Sequence, residues 1–260
     1  EEEGDNPQQK RPKGKAGTSP HEALQEWGHW PERTADQGRP ALGLPGRDNP
    51  AQVLLVFDLN GVLCDRARHF NAPRHLLDNA DYREGPIVAR KRPFLHDLLE
   101  FLKANRTHFQ AIVWSSAQSK NVRAICDQYF PPGLFAEVMG REDCHKYWLG
   151  PEEQAKAIAQ SPEGADVAGV TYELTCKDLA AIWDLGIGWN AKNTLLVDDD
   201  PQKASLHPLN AIHPYSFDAT ICKDEHEYNT DCELPRLIEY LTGCRGVEDI
   251  QKHVAEVKYE

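Results

Sequence analysis

Three short, almost uninterrupted apolar runs constrain this chain more than any other feature: Val53-Leu54-Leu55-Val56-Phe57, Phe109 to Trp114, and Thr194 to Val197. A strand with one wet face alternates apolar and polar residues. A continuous apolar run belongs to a strand buried on both faces, as in a parallel sheet covered by helices. Helical spacing fills the intervals. Phe94 to Ala104 follows a proline and sets Leu95, Leu98, Leu99 and Leu102 on one stripe, and Asn121 to Tyr129 reads as a second helix. Leu234 to Leu241 and Val247 to Val257 read as closing helices, separated by Gly243 and Gly246 as stops. Strands alternating with helices predict an α/β fold with a doubly wound, Rossmann-like parallel sheet.

Residues 1–50 are rich in Pro, Gly, Gln and charge, which reads as a polar linker. Ser19-Pro20-His21-Glu22 carries helix-start chemistry, and Leu24, Trp27 and Trp30 follow at helical spacing. A short helix is expected near residues 20–30, either docked or transient. Residues 51–260 form the expected domain, with an insert at about 131–175 marked by Pro131-Pro132-Gly133, Gly150-Pro151 and Ser161-Pro162-Glu163-Gly164. Tyr147, Trp148 and Tyr172 within it would line a peptide groove or fill the insert's own small core.

The formal net charge of −12 argues against a nucleic-acid partner, because phosphate backbones demand a basic face. None of the 7 cysteines forms a C-x-x-C pair, which reads as reduced thiols in an intracellular compartment. No stretch approaches the roughly 18 apolar residues of a membrane span, and the acidic start Glu1 to Asp5 is unlike a signal or transit peptide. Nothing in the sequence specifies an oligomeric state.

Each apolar run ends in polar chemistry. Val53 to Phe57 leads into Asp58-Leu59-Asn60-Gly61; Ile112-Val113-Trp114 into Ser115-Ser116; Leu195-Leu196-Val197 into Asp198-Asp199-Asp200-Pro201. Ligands of open parallel sheets bind beyond the carboxyl ends of the strands. Taken singly, Asp-x-Asn-Gly is an ordinary turn, and Asp198 to Asp200 an ordinary helix start. Taken together, the three ends offer a carboxylate, a hydroxyl and an acidic pair, whose mutual repulsion a divalent cation would relieve.

These residues resemble the haloacid dehalogenase superfamily and, within it, the FCP/SCP-like, or NLI-interacting-factor-like, phosphatases. The resemblance spans roughly residues 52–256. It is carried in order by Phe57 to Leu63, Lys91-Arg92-Pro93, Trp114-Ser115-Ser116-Ala117, Arg141-Glu142-Asp143-Cys144, Cys176-Lys177-Asp178-Leu179, Val197 to Pro201 and His207-Pro208-Leu209-Asn210-Ala211. It implies a Mg²⁺-dependent phosphoprotein (Ser/Thr) phosphatase working through an aspartyl-phosphate on Asp58. Ser115 and Lys177 would handle phosphoryl charge, Arg92 and Ser116 would bind substrate, and Asp58, the Asn60 carbonyl, Asp199 and Asp198 would form the metal site. A phosphorylated protein or peptide is the implied partner.

One departure stands out. The family places an acid two residues after the nucleophile, to protonate the leaving group and then activate water, and here that residue is Asn60. An amide hydrogen-bonds but shuttles no proton near neutral pH. Two readings follow: a phosphatase of reduced activity, or a pseudophosphatase used as a binding module, for which a mitochondrial import receptor of the same fold family is the precedent. Asp65, His69 and His75 lie nearby in sequence, the histidines reading as ordinary surface residues or as proton shuttles.

Overall fold

Every residue of the run Val53–Phe57 is buried. Side chains of a strand alternate between its faces. Val53, Leu55 and Phe57 enter one apolar core, while Leu54 and Val56 enter a second on the opposite side. The computed structural model describes residues 43–148, 173–222 and 224–259. In chain order its elements are β1 (Val53–Phe57), β2 (Cys64–Arg68), α1 (Arg74–Asn79), β3 (Tyr82–Glu84), β4 (Ile87–Lys91), α2 (Leu95–Ala104), β5 (Phe109–Trp114), α3 (Ser119–Tyr129), β6 (Val138–Met139), β7 (His145–Trp148), β8 (Glu173–Cys176), α4 (Ala180–Trp183), β9 (Thr194–Val197), β10 (Ala211–Ile212), α5 (Glu225–Asn229), α6 (Glu233–Gly243) and α7 (Ile250–Glu256). Among the described residues no helix is long and apolar enough to cross a membrane.

The central sheet has the order β10-β9-β1-β5-β6, and all of its pairings are parallel. The chain runs outward from β1 through β5 to β6, then crosses to β9 and β10 on the other side. β1 therefore sits where the winding reverses, and a ligand crevice opens at its carboxyl end. Helices α2, α3 and α6 and Ile250 of α7 cover the first core, including the expected stripe Leu95, Leu98, Leu99 and Leu102. The second core is thinner and holds Leu179, Ile182, Trp189 and Ala204. The doubly wound parallel sheet is thus present.

Two smaller sheets flank the main one. β2, β4 and β3 form an antiparallel sheet with β4 in the middle, directly after the Asp58 loop. β7 and β8 form an antiparallel hairpin, in register from His145↔Cys176 to Trp148↔Glu173.

Several boundaries differ from expectation. Leu44 is buried in the second core, Trp189 Nε1 donates to the Pro45 carbonyl at 3.2 Å, and Arg47 N donates to the Ile187 carbonyl at 2.8 Å. Packing of the folded part therefore extends back before residue 51. Val138–Met139, inside the expected insert, is the edge strand of the central sheet, because Val113↔Val138 pairing continues the ladder. The expected helix near 20–30, Tyr172 and the side chains of Tyr147 and Trp148 lie outside the described residues. The last helix starts at Ile250 rather than Val247, since the Asp249 carboxylate caps it by accepting from Lys252 N at 3.2 Å.

The His207-Pro208-Leu209-Asn210-Ala211 segment has a structural task. Asn210 Nδ2 donates to the carbonyls of Ala191 at 2.6 Å and Thr194 at 2.7 Å, and its Oδ1 accepts from Gln251 at 2.9 Å. This clip holds β10 and α7 on β9. Leaving buried carbonyls unpaired costs about 1–3 kcal/mol each. Asn210→Ala is therefore expected to lower stability by about 2–4 kcal/mol, read as a fall in urea midpoint at unchanged m-value.

Candidate active site

Asp58, Ser115 and Asp198 are each the first or second residue beyond a buried strand, and the sheet ladder continues through them. Asp58 N donates to the Val197 carbonyl at 2.8 Å, Ser115 N to Met139 at 3.1 Å and Asp198 N to Ile212 at 3.2 Å. Their backbones share the rigidity of the strands, so their side chains stand at fixed places along one rim. Lys177 arrives from β8, where its own N–H is held by the Lys203 carbonyl at 2.8 Å. Its side chain is 0% exposed, and Nζ lies 2.8 Å from Asp58 Oδ1 and 2.5 Å from Asp198 Oδ2. Oxygens of Asp58, Asp198 and Asp199 all lie within 4.8 Å of one another.

Three carboxylates and one ammonium leave two uncompensated negative charges when all are ionised, which a divalent cation matches. Burial pushes the Asp58 carboxyl up; Lys177 opposes this, Asp198 and Asp199 add to it, and the net direction is upward. Burial alone would lower the Lys177 ammonium, but Asp198 and Asp58 more than reverse it and hold it above its ordinary value. Burial likewise raises Asp199, against a hydrogen bond from the Ser216 hydroxyl. Burial is the main cause for the two carboxyls, and the negative charge that Lys177 leaves in excess adds to their rise and raises the ammonium as well. A bound cation would relieve the same excess.

The loop after Asp58 is folded on itself. Leu63 N and Cys64 N both donate to the Leu59 carbonyl at 3.0 Å, and Gly61 N donates to the Cys64 carbonyl at 2.8 Å. Asn60 Oδ1 accepts from Arg66 N at 2.7 Å, so the amide is oriented by the start of β2. Gly61 has φ 84, and a Cβ there would sit 2.7 Å from Asp199 Cγ. Only a residue without a side chain lets the Asp199 carboxylate rest against this turn.

The structure brings Asp58, Lys177, Asp198 and Asp199 together and sets Ser115, 2% exposed, at the end of the adjacent strand β5. Ser116 is half-buried beside it, its carbonyl accepting from Arg141 Nε at 2.8 Å. Arg92 is a correction. It is buried and every donor is engaged: Nε and Nη2 on Asp231, Nη1 on the carbonyls of Gly61 and Val62, and Nη2 also on the Tyr215 carbonyl. With no N–H left for a phosphate, Arg92 is a clamp on the Asp58 loop rather than a substrate ligand. Asp65 accepts from Ala219 N at 2.9 Å, and His75 Nε2 meets the Thr220 carbonyl at 2.7 Å. His69 is exposed in the turn after β2.

The segment His213–Ala219 was not singled out from sequence, yet it straps the site. His213 Nδ1 meets the Asp198 carbonyl at 2.7 Å, the Ser216 hydroxyl bonds Asp199, and Phe217 N donates to the Gly61 carbonyl at 2.8 Å. Pro214-Tyr215-Ser216-Phe217-Asp218 has no periodicity to betray this role.

Residues 53–251 match the model of the NLI interacting factor-like phosphatases. The chain belongs to that family. An uncharacterized FCP1 homology domain-containing protein of Schizosaccharomyces pombe is 25% identical over 220 residues, covering 80% of this chain and 77% of that protein. A solved structure of Fcp1, an essential RNA polymerase II CTD phosphatase, is 14% identical with a TM-score of 0.49, covering 81% of this chain and 64% of that one. Fission yeast RNA polymerase II CTD phosphatase Fcp1 bound to beryllium fluoride is 12% identical with a TM-score of 0.44, covering 80% of this chain and 54% of that one. This chain thus spans less than two thirds of either solved Fcp1 chain.

Displacing Asp199 tests the cluster. Gly61→Ala is expected to weaken divalent-cation binding roughly 10- to 100-fold, the range for disturbing a ligand's support. The measurement is the Mg²⁺ concentration that half-saturates the rise in melting temperature, and an unchanged midpoint would remove Asp199 from the site.

Proposed function

We propose that this is a Mg²⁺-dependent phosphoryl-transfer domain for phosphorylated protein, acting through an aspartyl-phosphate on Asp58, with hydrolysis slowed by Asn60. The observation that carries the reading is the buried Lys177 ammonium, which bridges Asp58 and Asp198 while Asp199 lies within 4.8 Å of both. Magnesium held by Asp58, the Asn60 carbonyl and Asp199, with Asp198 adding negative potential, would neutralise phosphoryl charge. Lys177 fixes one Asp58 oxygen and so aims the nucleophile, and it adds positive charge where the phosphoryl oxygens gather. Ser115, on the neighbouring strand end, donates its hydroxyl to one of those oxygens. Asp58 attacks phosphorus, and the leaving-group oxygen departs with the bonding pair. Substrate identity as a phosphoprotein rests on family membership.

The second reading, a pseudophosphatase that binds a phosphorylated partner, follows from the amide at position 60, which carries no transferable proton. Asn60 is held by Arg66 N at 2.7 Å, so the amide is a built part of the loop. General acid–base help is worth about 10² to 10⁴ in rate. An aryl phosphate assay of the full chain, with and without Mg²⁺, separates the readings. Low Mg²⁺-dependent turnover is expected, rising about tenfold or more in Asn60→Asp and vanishing in Asp58→Asn and Lys177→Ala. Activity surviving in Asp58→Asn would move the reaction elsewhere. For the binding reading, beryllium fluoride should raise the melting temperature only with Mg²⁺ present.

A further inference from the structure

Asn60 is placed by two of its atoms and leaves a third for chemistry. Its main chain bridges to Cys64, and its Oδ1 accepts from Arg66 N at 2.7 Å. The amide nitrogen, a donor without a basic lone pair, is what remains to meet a ligand. Several other proton-carrying side chains of the domain also meet protein groups. Asp65 holds Ala219 N, Asp231 holds Arg92, His207 pairs with Asp178 at 2.8 Å, and His213 Nδ1 meets the Asp198 carbonyl. Lys177 is bonded to two carboxylates. At the position two residues after Asp58 the chain therefore offers an amide, which neither gives nor takes a proton.

From this we infer that the site accepts a phosphoryl group from donors whose leaving group is stable as an anion, acyl and aryl phosphates, and stores it on Asp58 instead of releasing it. The inference rests on the aspartyl-phosphate reading above and departs from it in the donor class, since it excludes phosphoserine and phosphothreonine. When an Asp58 oxygen bonds to phosphorus, the bond to the leaving oxygen breaks and that oxygen keeps the pair. A carboxylate or phenolate, of pKa about 4 or 10, departs without a proton. A serine or threonine alkoxide is a far stronger base and needs one, which Asn60 cannot give. Charge balances in the first case: a carboxylate and a phosphate dianion become an acyl phosphate dianion and a free anion. Discharge requires water to attack the same phosphorus and lose a proton to a base. Asn60 is no base, so the adduct persists. The substrate class so defined is narrower than that of an alkyl phosphomonoesterase, and its product is a phosphorylated form of this chain.

The experiment uses the full chain with Mg²⁺ and three donors: acetyl phosphate, p-nitrophenyl phosphate and a phosphoserine peptide. An Asn-Gly pair is prone to deamidation, which would itself put an acid at position 60, so each preparation is mapped by peptide mass first. Intact mass is expected to show one phosphoryl adduct from acetyl phosphate and from p-nitrophenyl phosphate. The adduct should be cleaved by hydroxylamine and absent in Asp58→Asn. p-Nitrophenolate should appear as a burst of about one equivalent followed by a rate about 10² to 10⁴ lower than in Asn60→Asp. The phosphoserine peptide should be inert with wild type and consumed by Asn60→Asp. That variant keeps the oxygen that accepts from Arg66 N, and circular dichroism verifies its fold. Wild type without an adduct, beside an active Asn60→Asp, overturns the inference and leaves the aspartyl-phosphate reading standing. Wild type hydrolysing the phosphoserine peptide within tenfold of Asn60→Asp overturns it equally. Inertness of both chains toward all donors overturns both readings.

Discussion

The Lys177 ammonium between Asp58 and Asp198 is the interaction on which the site depends. It joins the ends of two neighbouring strands, β1 and β9, through one fully buried nitrogen. Buried ion pairs are a poor way to gain stability, because desolvation offsets most of the Coulombic attraction. Here the balance is worse, since a third carboxylate, Asp199, shares the space. Packing alone would be better served by apolar residues. The arrangement makes physical sense as a place where charge arrives and leaves, with a cation and a phosphoryl group completing it.

Much of the remaining polar structure keeps that cluster in position. Asp58, Ser115 and Asp198 are held by main-chain hydrogen bonds that continue the sheet beyond its formal ends. Asp178 and His207 tie the segment after Lys177 to the turn before β10. Arg92 gathers the Asp58 loop, Tyr215 and Asp231 around one guanidinium. Such donors cost reorganisation once, at folding, and none at the moment of reaction. Residues that share motifs with the family are therefore of two kinds, those that face the rim and those that hold its walls, and only coordinates tell them apart.

What was legible in the sequence follows from burial. β1, β5 and β9 announce themselves because strands covered on both faces have no reason to alternate, and their polar successors then mark the rim. β6 and β10, of two residues each, are too short for any periodicity, so the edge strand Val138–Met139 reads as part of an insert. Arg92 looks like a phosphate ligand because a lone arginine beside a motif usually has donors to spare; the five acceptor atoms that occupy it come from four residues distant in sequence. The strap at His213–Ala219 acts through one imidazole, one hydroxyl and main-chain groups, residue types too ordinary to mark a site without a spacing pattern. Leu44 sits in a short Gly- and Pro-rich stretch with no strand or helix periodicity, and only the folded second core shows that it is buried.

Asn60 separates shape from reactivity at a single atom. Its carbonyl and its Oδ1 are as available as those of an aspartate would be, so the loop, the Arg66 contact and a ligand position survive the change. What is lost is a transferable proton, which contributes nothing to packing. Fold and family membership are therefore blind to it: they report the retained atoms, while in the proposed reaction the missing proton would decide which leaving groups depart and whether the phosphoryl group moves on to water. On the proposed reading, acid–base chemistry at this one position would set what the domain does within a frame that otherwise retains its atoms.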